Sequence, residues 1–304
     1  MNNSSPLGLK FRSPHYVNSA KGAEYPPLDM TGFSISYTDK NFEFLRAMAL
    51  EVAGISLADH KRSMVFRRLV RRVVSKGFES FDQYCEYLSS LAGEAEVQQF
   101  INALTTNKTD FFRENHHFKH FEEYLKQLPS GLTSRRLRVW SAGCSSGQEP
   151  YSIAMSLLEH LPNIKNLDAR ILATDIDTDI LAKAERGIFQ PVELQDLPSA
   201  YLTKYTDSLI DKSESRKVTD AVRNLVTFRK LNLHSGWPMK GPFDVIFCRN
   251  VVIYFDREAQ RVLFDRFANQ LSDGGILYIG HSESLFRVTE RFRADGQSVY
   301  RKIS

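Results

Sequence analysis

Arg138-Val-Trp-Ser-Ala-Gly-Cys-Ser-Ser-Gly-Gln-Glu-Pro-Tyr151 reads as a buried strand, a glycine turn and the first turn of a helix. Leu137, Val139 and Trp140 supply the apolar strand, Gly143 and Gly147 let the backbone turn tightly and approach a ligand, and Pro150 suits a helix's first turn. In α/β proteins such a strand, turn and helix hold nucleotide-like ligands. Downstream, Ile171-Leu-Ala-Thr-Asp-Ile-Asp177 is a second apolar strand ending in carboxylates, the groups that accept hydrogen bonds from ribose hydroxyls. A plain strand-to-helix connection recruits glycine too, so this segment alone leaves both readings open. The spacing Gly143-xxx-Gly147 departs from the Gly-x-Gly-x-x-Gly fingerprint, which counts against a nicotinamide dehydrogenase.

Apolar strands recur around this unit at 170–174, 226–230, 243–248, 275–279 and 298–302, with helical patterns between most of them. Such alternation predicts an α/β domain with a parallel sheet covered on both faces. The pattern breaks over about 187–226, where Pro191, Pro198 and a polar stretch predict a small inserted subdomain. Ahead of the sheet, Phe42, Leu45, Ala49 and Val52 recur at helical spacing after a cap at Thr38 or Asp39, with Gly54 near the stop. Further helical patterns cover 81–91 and 94–105. The expected organisation is a flexible tail (1–32), a small helical bundle (33–128), a linker beginning Pro129-Ser-Gly-Leu-Thr-Ser, and the α/β domain (129–304).

The 304 residues are 42% hydrophobic and 25% charged, enough for a sizeable core, and no stretch approaches the ~20 apolar residues of a membrane span. The amino terminus lacks the order of a secretory signal, so a cytoplasmic protein is expected. Cys85, Cys144 and Cys248 are three widely spaced residues without a Cys-x-x-Cys pair, the pattern of reduced thiols rather than of a disulfide framework or zinc knuckle. The net charge of +4 is concentrated: Lys61, Arg62, Arg67, Arg68, Arg71, Arg72 and Lys76 fall in one segment without an acidic residue, leaving the rest of the chain net negative. On a helix with Val65, Phe66, Leu69, Val70 and Val73 on its other face, they form either a solvated surface or a docking face for a polyanion.

Two more segments carry polar groups of the kind that build a site. Thr105-Thr-Asn-Lys-Thr-Asp-Phe-Phe-Arg113 mixes amide, hydroxyl and guanidinium groups with paired aromatics; it reads either as a loop closing over a ligand or as a helix start capped by Thr109. Phe243-Asp-Val-Ile-Phe-Cys-Arg-Asn250, followed by Val-Val-Ile-Tyr254-Phe, ends an apolar strand in Arg249 and Asn250, and the carboxyl edge of a doubly wound sheet is where ligands bind. Gly280-His-Ser-Glu283 follows another strand; it is placed to support the site, with no role that the sequence defines.

Together these segments resemble the CheR family of chemotaxis receptor methyltransferases, whose hallmarks are similar to Thr-Thr-Asn-x-Thr-x-Phe-Phe-Arg, Ser-Ala-Gly-Cys-Ser-Ser-Gly-x-Glu-Pro-Tyr-Ser, Cys-Arg-Asn-Val-x-Ile-Tyr-Phe and Gly-His-Ser-Glu. The resemblance spans about 33–303. It implies a Rossmann-like methyltransferase domain behind an all-α docking domain, and S-adenosylmethionine as cofactor with S-adenosylhomocysteine as product. It also implies a reaction at glutamate side chains of the acidic coiled-coil helices of methyl-accepting chemotaxis receptors, with neither nucleic acid nor membrane insertion involved. Carried over by residue, it implies cofactor contacts from Asn107, Thr109, Arg113, Glu149, Asp175, Asn232, Leu233, Arg249 and Asn250. Gln148 stands where the family commonly has a glutamate.

A glutamate nucleophile, with a reference pKa of about 4.3, is already ionised at neutral pH, so the reaction calls for positioning groups rather than a general base. Tyr254 and Arg113 are the expected catalytic residues; Tyr254 reads equally as a core tyrosine. Arg67, Arg68, Arg71 and Arg72 are the expected substrate-docking residues, steered by opposite charge. His116 and His120 stand at i and i+4 without an acidic or thiol partner in sequence, and no metal is expected. A nucleic-acid methyltransferase would also use a basic helix, but Arg249-Asn250-Val-Val replaces the Asp/Asn-Pro-Pro-aromatic run expected for base amino groups. A cofactor-binding sensor or scaffold without turnover, or a methyltransferase of another substrate, remains the alternative.

Overall fold

The periodicity that begins after Thr38 becomes α1 (Asp39–Ala53) in a computed structural model, which describes residues 35–128, 136–161, 164, 167–209, 214–239 and 241–303. The expected tail and the linker 129–134 lie outside the described residues. Thr38 and Asn41 form a reciprocal capping box, and Gly54 closes the helix at φ 68°. α2 (Arg62–Ser75), α3 (Phe81–Ser89) and α4 (Glu94–Leu104) complete the bundle. Its core is Phe42, Leu45, Val65, Phe66, Leu69, Val73, Phe81, Tyr84, Phe100 and Ile101, all buried.

The basic face of α2 divides into two sets of residues. Arg72 reaches the buried Glu96 with two hydrogen bonds, Nε to Oε1 at 2.6 Å and Nη2 to Oε2 at 2.9 Å. Lys76 lies 3.2 Å from the same carboxylate, and the Tyr84 hydroxyl donates to it at 3.1 Å. Burial works against the charge of Glu96, but these donors, Arg72 foremost, outweigh it and hold the carboxyl below its usual range. Arg62 pairs with Asp39 at 2.6 Å, and Arg68 donates to the backbone oxygens of Leu104 and Thr105 at 2.6 and 2.5 Å. Arg68 and Arg72, expected on the docking face, are therefore tied into the bundle, because carboxylates and carbonyls distant in sequence fold against them. Arg67 and Arg71 are exposed.

The described chain divides into compact units between Thr105 and Thr106. The expected boundary after residue 128 is thereby corrected: α5 (Asn115–Lys126) packs with the sheet, its Phe118, Phe121 and Leu125 sharing one core with Val139, Phe247 and Tyr278. That second unit holds a seven-stranded sheet. It comprises β1 (Arg136–Ala142), β2 (Asp168–Asp175), β6 (Val226–Lys230), β7 (Phe243–Cys248), β8 (Leu271–Ile279), β9 (Phe292–Gly296) and β10 (Val299–Lys302), in the order β6-β2-β1-β7-β8-β10-β9. The first five strands in that order are parallel and β10 is antiparallel to both neighbours.

Alternate side chains enter opposite layers. Val139, Val245 and Phe247 face one core with α5 and α6 (Gln148–His160), while Trp140, Ile246 and Cys248 face the other with Leu263, Phe264 and Phe267 of α10 (Arg257–Gln270). Because both faces are covered, the strands read as continuous apolar runs. α7 (Thr178–Arg186) follows β2. Between α7 and β6, the expected insertion carries a second, antiparallel sheet of order β3-β5-β4, from β3 (Ile188–Phe189), β4 (Thr206–Ser208) and β5 (Arg216–Val218). α8 (Ser199–Tyr205) and α9 (Asp220–Arg223) flank it.

Candidate active site

The strand order reverses between β1 and β7, so the connections leaving their carboxyl ends part and open a crevice. The register pairs Ala142 with Thr174, Asp175 with Lys230 and Cys248 with Ile279, which brings Gly143, Asp175, Leu231, Arg249 and Gly280 to one edge. The glycine turn is built for close approach: Gly143 has φ 90°, and a Cβ there would lie 2.3 Å from Val251 Cγ2. Gly147, at φ 98°, caps α6 and puts Glu149 into its first turn.

Asp175 ends β2 against this turn. Its carboxylate accepts from Ser145 N at 2.8 Å and Asp177 N at 3.0 Å. Burial pushes its carboxyl up to about 6 despite these bonds. A carboxylate only accepts, with two oxygens that can face the two hydroxyls of a vicinal diol such as a ribose. Asn232 and Leu233 follow β6 beside it: Leu231 N donates to Asp175 O at 2.9 Å, Asn232 Oδ1 accepts from His234 N at 2.9 Å, and Arg266 donates to Leu233 O at 2.8 Å.

Glu149 is tied to the chain at both oxygens, accepting from Ser141 Oγ at 2.7 Å and Arg249 Nη1 at 3.1 Å. Burial raises its carboxyl pKa, against the pull of Arg249. Arg249, itself buried, donates with its other amino group to Arg113 O and lies 3.5 Å from Glu114 Oε2. Glu114 also accepts from His281 Nδ1 at 2.8 Å and Asn250 Nδ2 at 3.4 Å. Burial opposes its charge, but His281 and Arg249 outweigh that and hold the carboxyl down at about 2.

The segment before α5 is bolted to this edge. Ser145 Oγ donates to Asn107 O at 2.9 Å, Asn107 Nδ2 to Asp177 Oδ2 at 2.7 Å, and Phe112 N to Ser152 Oγ at 3.0 Å. Thr109 is half-buried in this segment but does not cap α5, whose N-cap is Glu114 in the left-handed region at φ 53°. Only the Arg113 backbone is locked by Arg249; its guanidinium donates to Lys108 O at 3.0 Å and is half-exposed, free to meet a charged ligand. Tyr254 closes a helical turn, Val252–Tyr254, just after Arg249 and Asn250, and is half-exposed rather than a core tyrosine.

Glu114 and Ser141 were not among the expected site residues, and Asp177, read only as a carboxylate ending β2, instead accepts from Asn107. Glu114 follows Arg113 without a motif of its own, and only its positive φ and convergent donors reveal it. The i, i+4 spacing of His116 and His120 is not used as a pair: His120 Nδ1 lies 2.8 Å from Tyr278 Oη, while Glu114, His116 and His117 bring potential ligand atoms within 4.8 Å of one another. The Arg249 guanidinium beside Glu114 works against a cation there. Cys144 is fully buried, which pushes its thiol pKa well up and fits packing.

Among the described residues no helix is long and apolar enough to cross a membrane. The family model for the all-alpha domain of CheR methyltransferases matches residues 40–105, and that for the SAM binding domain of CheR methyltransferases matches 107–301. A probable chemotaxis protein methyltransferase of Rhizobium etli is 46% identical over 235 residues, 76% of this chain and 87% of that one. The chemotaxis protein methyltransferase of Escherichia coli is 41% identical over 268 residues, 88% of this chain and 92% of that one. Both units are matched in order, divided where the described structure divides, and the identity covers most of the chain, so this protein belongs to the CheR methyltransferase family and uses S-adenosylmethionine as its cofactor.

Proposed function

We propose that this protein methylates glutamate side chains on the cytoplasmic helices of chemoreceptors, giving methyl esters and S-adenosylhomocysteine in receptor adaptation. The observation that carries the reading is the single strand edge at which Asn107, Arg113, Asp175, Arg249 and Asn250 meet, in a chain of this family. When bound, S-adenosylmethionine supplies a sulfonium methyl that a carboxylate oxygen can take in line, the carbon–sulfur electron pair staying on sulfur and no proton moving.

What the chain must do is bind, orient and exclude water. Asp175 fits the ribose diol, and Asn232 and Leu233 border the adenine side. Glu149 holds Arg249, and Arg249 in turn holds the Arg113 backbone, so Arg113 can meet the carboxylate of the cofactor's amino-acid portion from a fixed position. Asn107 and Thr109 line the same segment, and Asn250 joins it through Glu114. Tyr254 orients the acceptor carboxylate with its hydroxyl. Arg67 and Arg71 carry the attraction for an acidic receptor helix, their charge being exposed on α2. The working place is the cytoplasm, where those receptor helices lie.

The test incubates the purified full-length protein with methyl-labelled cofactor and receptor-bearing membranes. Alkali-labile label on the receptor, lost in Arg113→Ala while the melting midpoint holds, is expected, because methyl esters release methanol in base. Cofactor binding with no such label from several receptor sources would overturn the reading in favour of a sensor or scaffold.

A further inference from the structure

Of the Gly280-His-Ser-Glu283 stretch, only His281 has a role above, beside Glu114. Glu283 is buried, four residues past the end of β8, and its carboxylate faces backbone rather than solvent. Oε2 accepts from Gly280 N at 2.6 Å and Asn250 N at 3.1 Å; Oε1 accepts from Ile253 N at 3.3 Å. One side chain thus spans the carboxyl ends of two adjacent parallel strands, β7 and β8. Asn250 sits at φ 58°, in the left-handed region that asparagine adopts more readily than other side chains, and so turns the chain sharply at the end of β7. Gly280 lets the two ends meet: a Cβ there would lie 2.5 Å from Asn250 Nδ2 and 2.9 Å from Glu283 Oε2.

We propose that Glu283 is a positioning residue for methyl transfer, whose carboxylate clamps the turn from Asn250 to Tyr254 onto the end of β8 and so fixes where the Tyr254 hydroxyl points. The inference rests on the functional reading above. A carboxylate suits the task because it only accepts, and both of its oxygens face N–H groups. Glutamine keeps the shape but offers one acceptor oxygen, and its NH2 must then face an N–H donor on the other side. The clamp acts on the turn between β7 and α10, whose Val252 it also seats in the core shared with α10.

Glu283→Gln is expected to lower kcat for receptor methylation by about tenfold or more with receptor KM within about twofold, and to speed amide exchange in residues 249–255 without speeding it in β1 or β2. Because the clamp acts through Tyr254, Tyr254→Phe added to Glu283→Gln should cost much less than the product of the two single effects. Gly280→Ala, which pushes on Asn250 from the other side while keeping the carboxylate, should show the same loss and the same coupling, and it serves if Glu283→Gln folds poorly. Unchanged kcat and exchange in Glu283→Gln, or single effects that simply multiply with Tyr254→Phe, would overturn the proposal. A wild-type protein that labels no receptor would instead overturn the functional reading, and with it the catalytic part of this one.

Discussion

Lowering the pH from about 7.5 to about 5 should weaken cofactor binding about tenfold, and Asp175 is the reason. Its carboxyl is pushed up to about 6 by burial, with the neighbouring Asp177 adding to the push, and the backbone N–H groups of Asp177, Ser145 and Ile176 pulling the other way. A ribose diol needs the ionised form, because protonation turns an accepting oxygen into a donor facing a donor. Affinity is therefore full above about pH 6 and falls as pH drops through it. With a pKa of about 6, roughly one Asp175 in eleven is ionised at pH 5 against nearly all at pH 7.5, which sets the tenfold figure. Stability of the free protein moves oppositely: the folded state binds this proton before the unfolded chain does, so Asp175's contribution to stability grows as pH falls from about 6 toward about 4. The assay is calorimetric titration of S-adenosylhomocysteine, which binds without turnover, into wild type and Asp175→Asn. Glu149 also carries a pKa raised by burial, so the variant is what assigns the slope. A dissociation constant that stays flat over this range, or the same tenfold loss in Asp175→Asn, would refute the reasoning.

Arg72→Ala should destabilise the protein by about 2 kcal/mol in denaturant titration, because it strips two hydrogen bonds from buried Glu96 and leaves Lys76 and Tyr84 to compensate in part. Arg67→Ala and Arg71→Ala should leave stability within about 0.5 kcal/mol yet raise receptor KM, with the difference from wild type shrinking in high salt. Arg249→Ala should cost about 3–5 kcal/mol by stranding Glu149 beside Glu114, and adding Glu149→Gln should recover part of it, seen as a partly restored melting midpoint.

The parallel part of the sheet, from β6 to β8, was legible because its strands are apolar on both faces: Val245 to Cys248 and Ile276 to Ile279 need no partner to be read as buried, whereas the strand expected at 298–302 in that parallel sheet is instead antiparallel to its neighbours. The site's edge followed, since glycines at 143 and 147 and carboxylates at 149 and 175 announce themselves by type and spacing. β9, with exposed residues at most of its positions, and the short strands of the second sheet have too little periodicity to show. α5 was read as a helix of the first unit, since an amphipathic stripe says that a face is buried but not against what.

Sequence alone determined which residues are apolar, where backbone must turn, and which chemistry-bearing side chains exist, because these depend on residue type and local spacing. Only the tertiary structure decided which charges are spent inside the protein. Arg68 and Arg72 looked free beside Arg67 and Arg71 until Thr105 and Glu96 folded onto them, and Glu114 and Glu283 had no visible role until donors from distant strand ends converged on them. A carboxylate's function depends on the donors within about 3 Å of it, and those come from segments whose meeting is fixed by strand order and helix packing rather than by their neighbours in the chain.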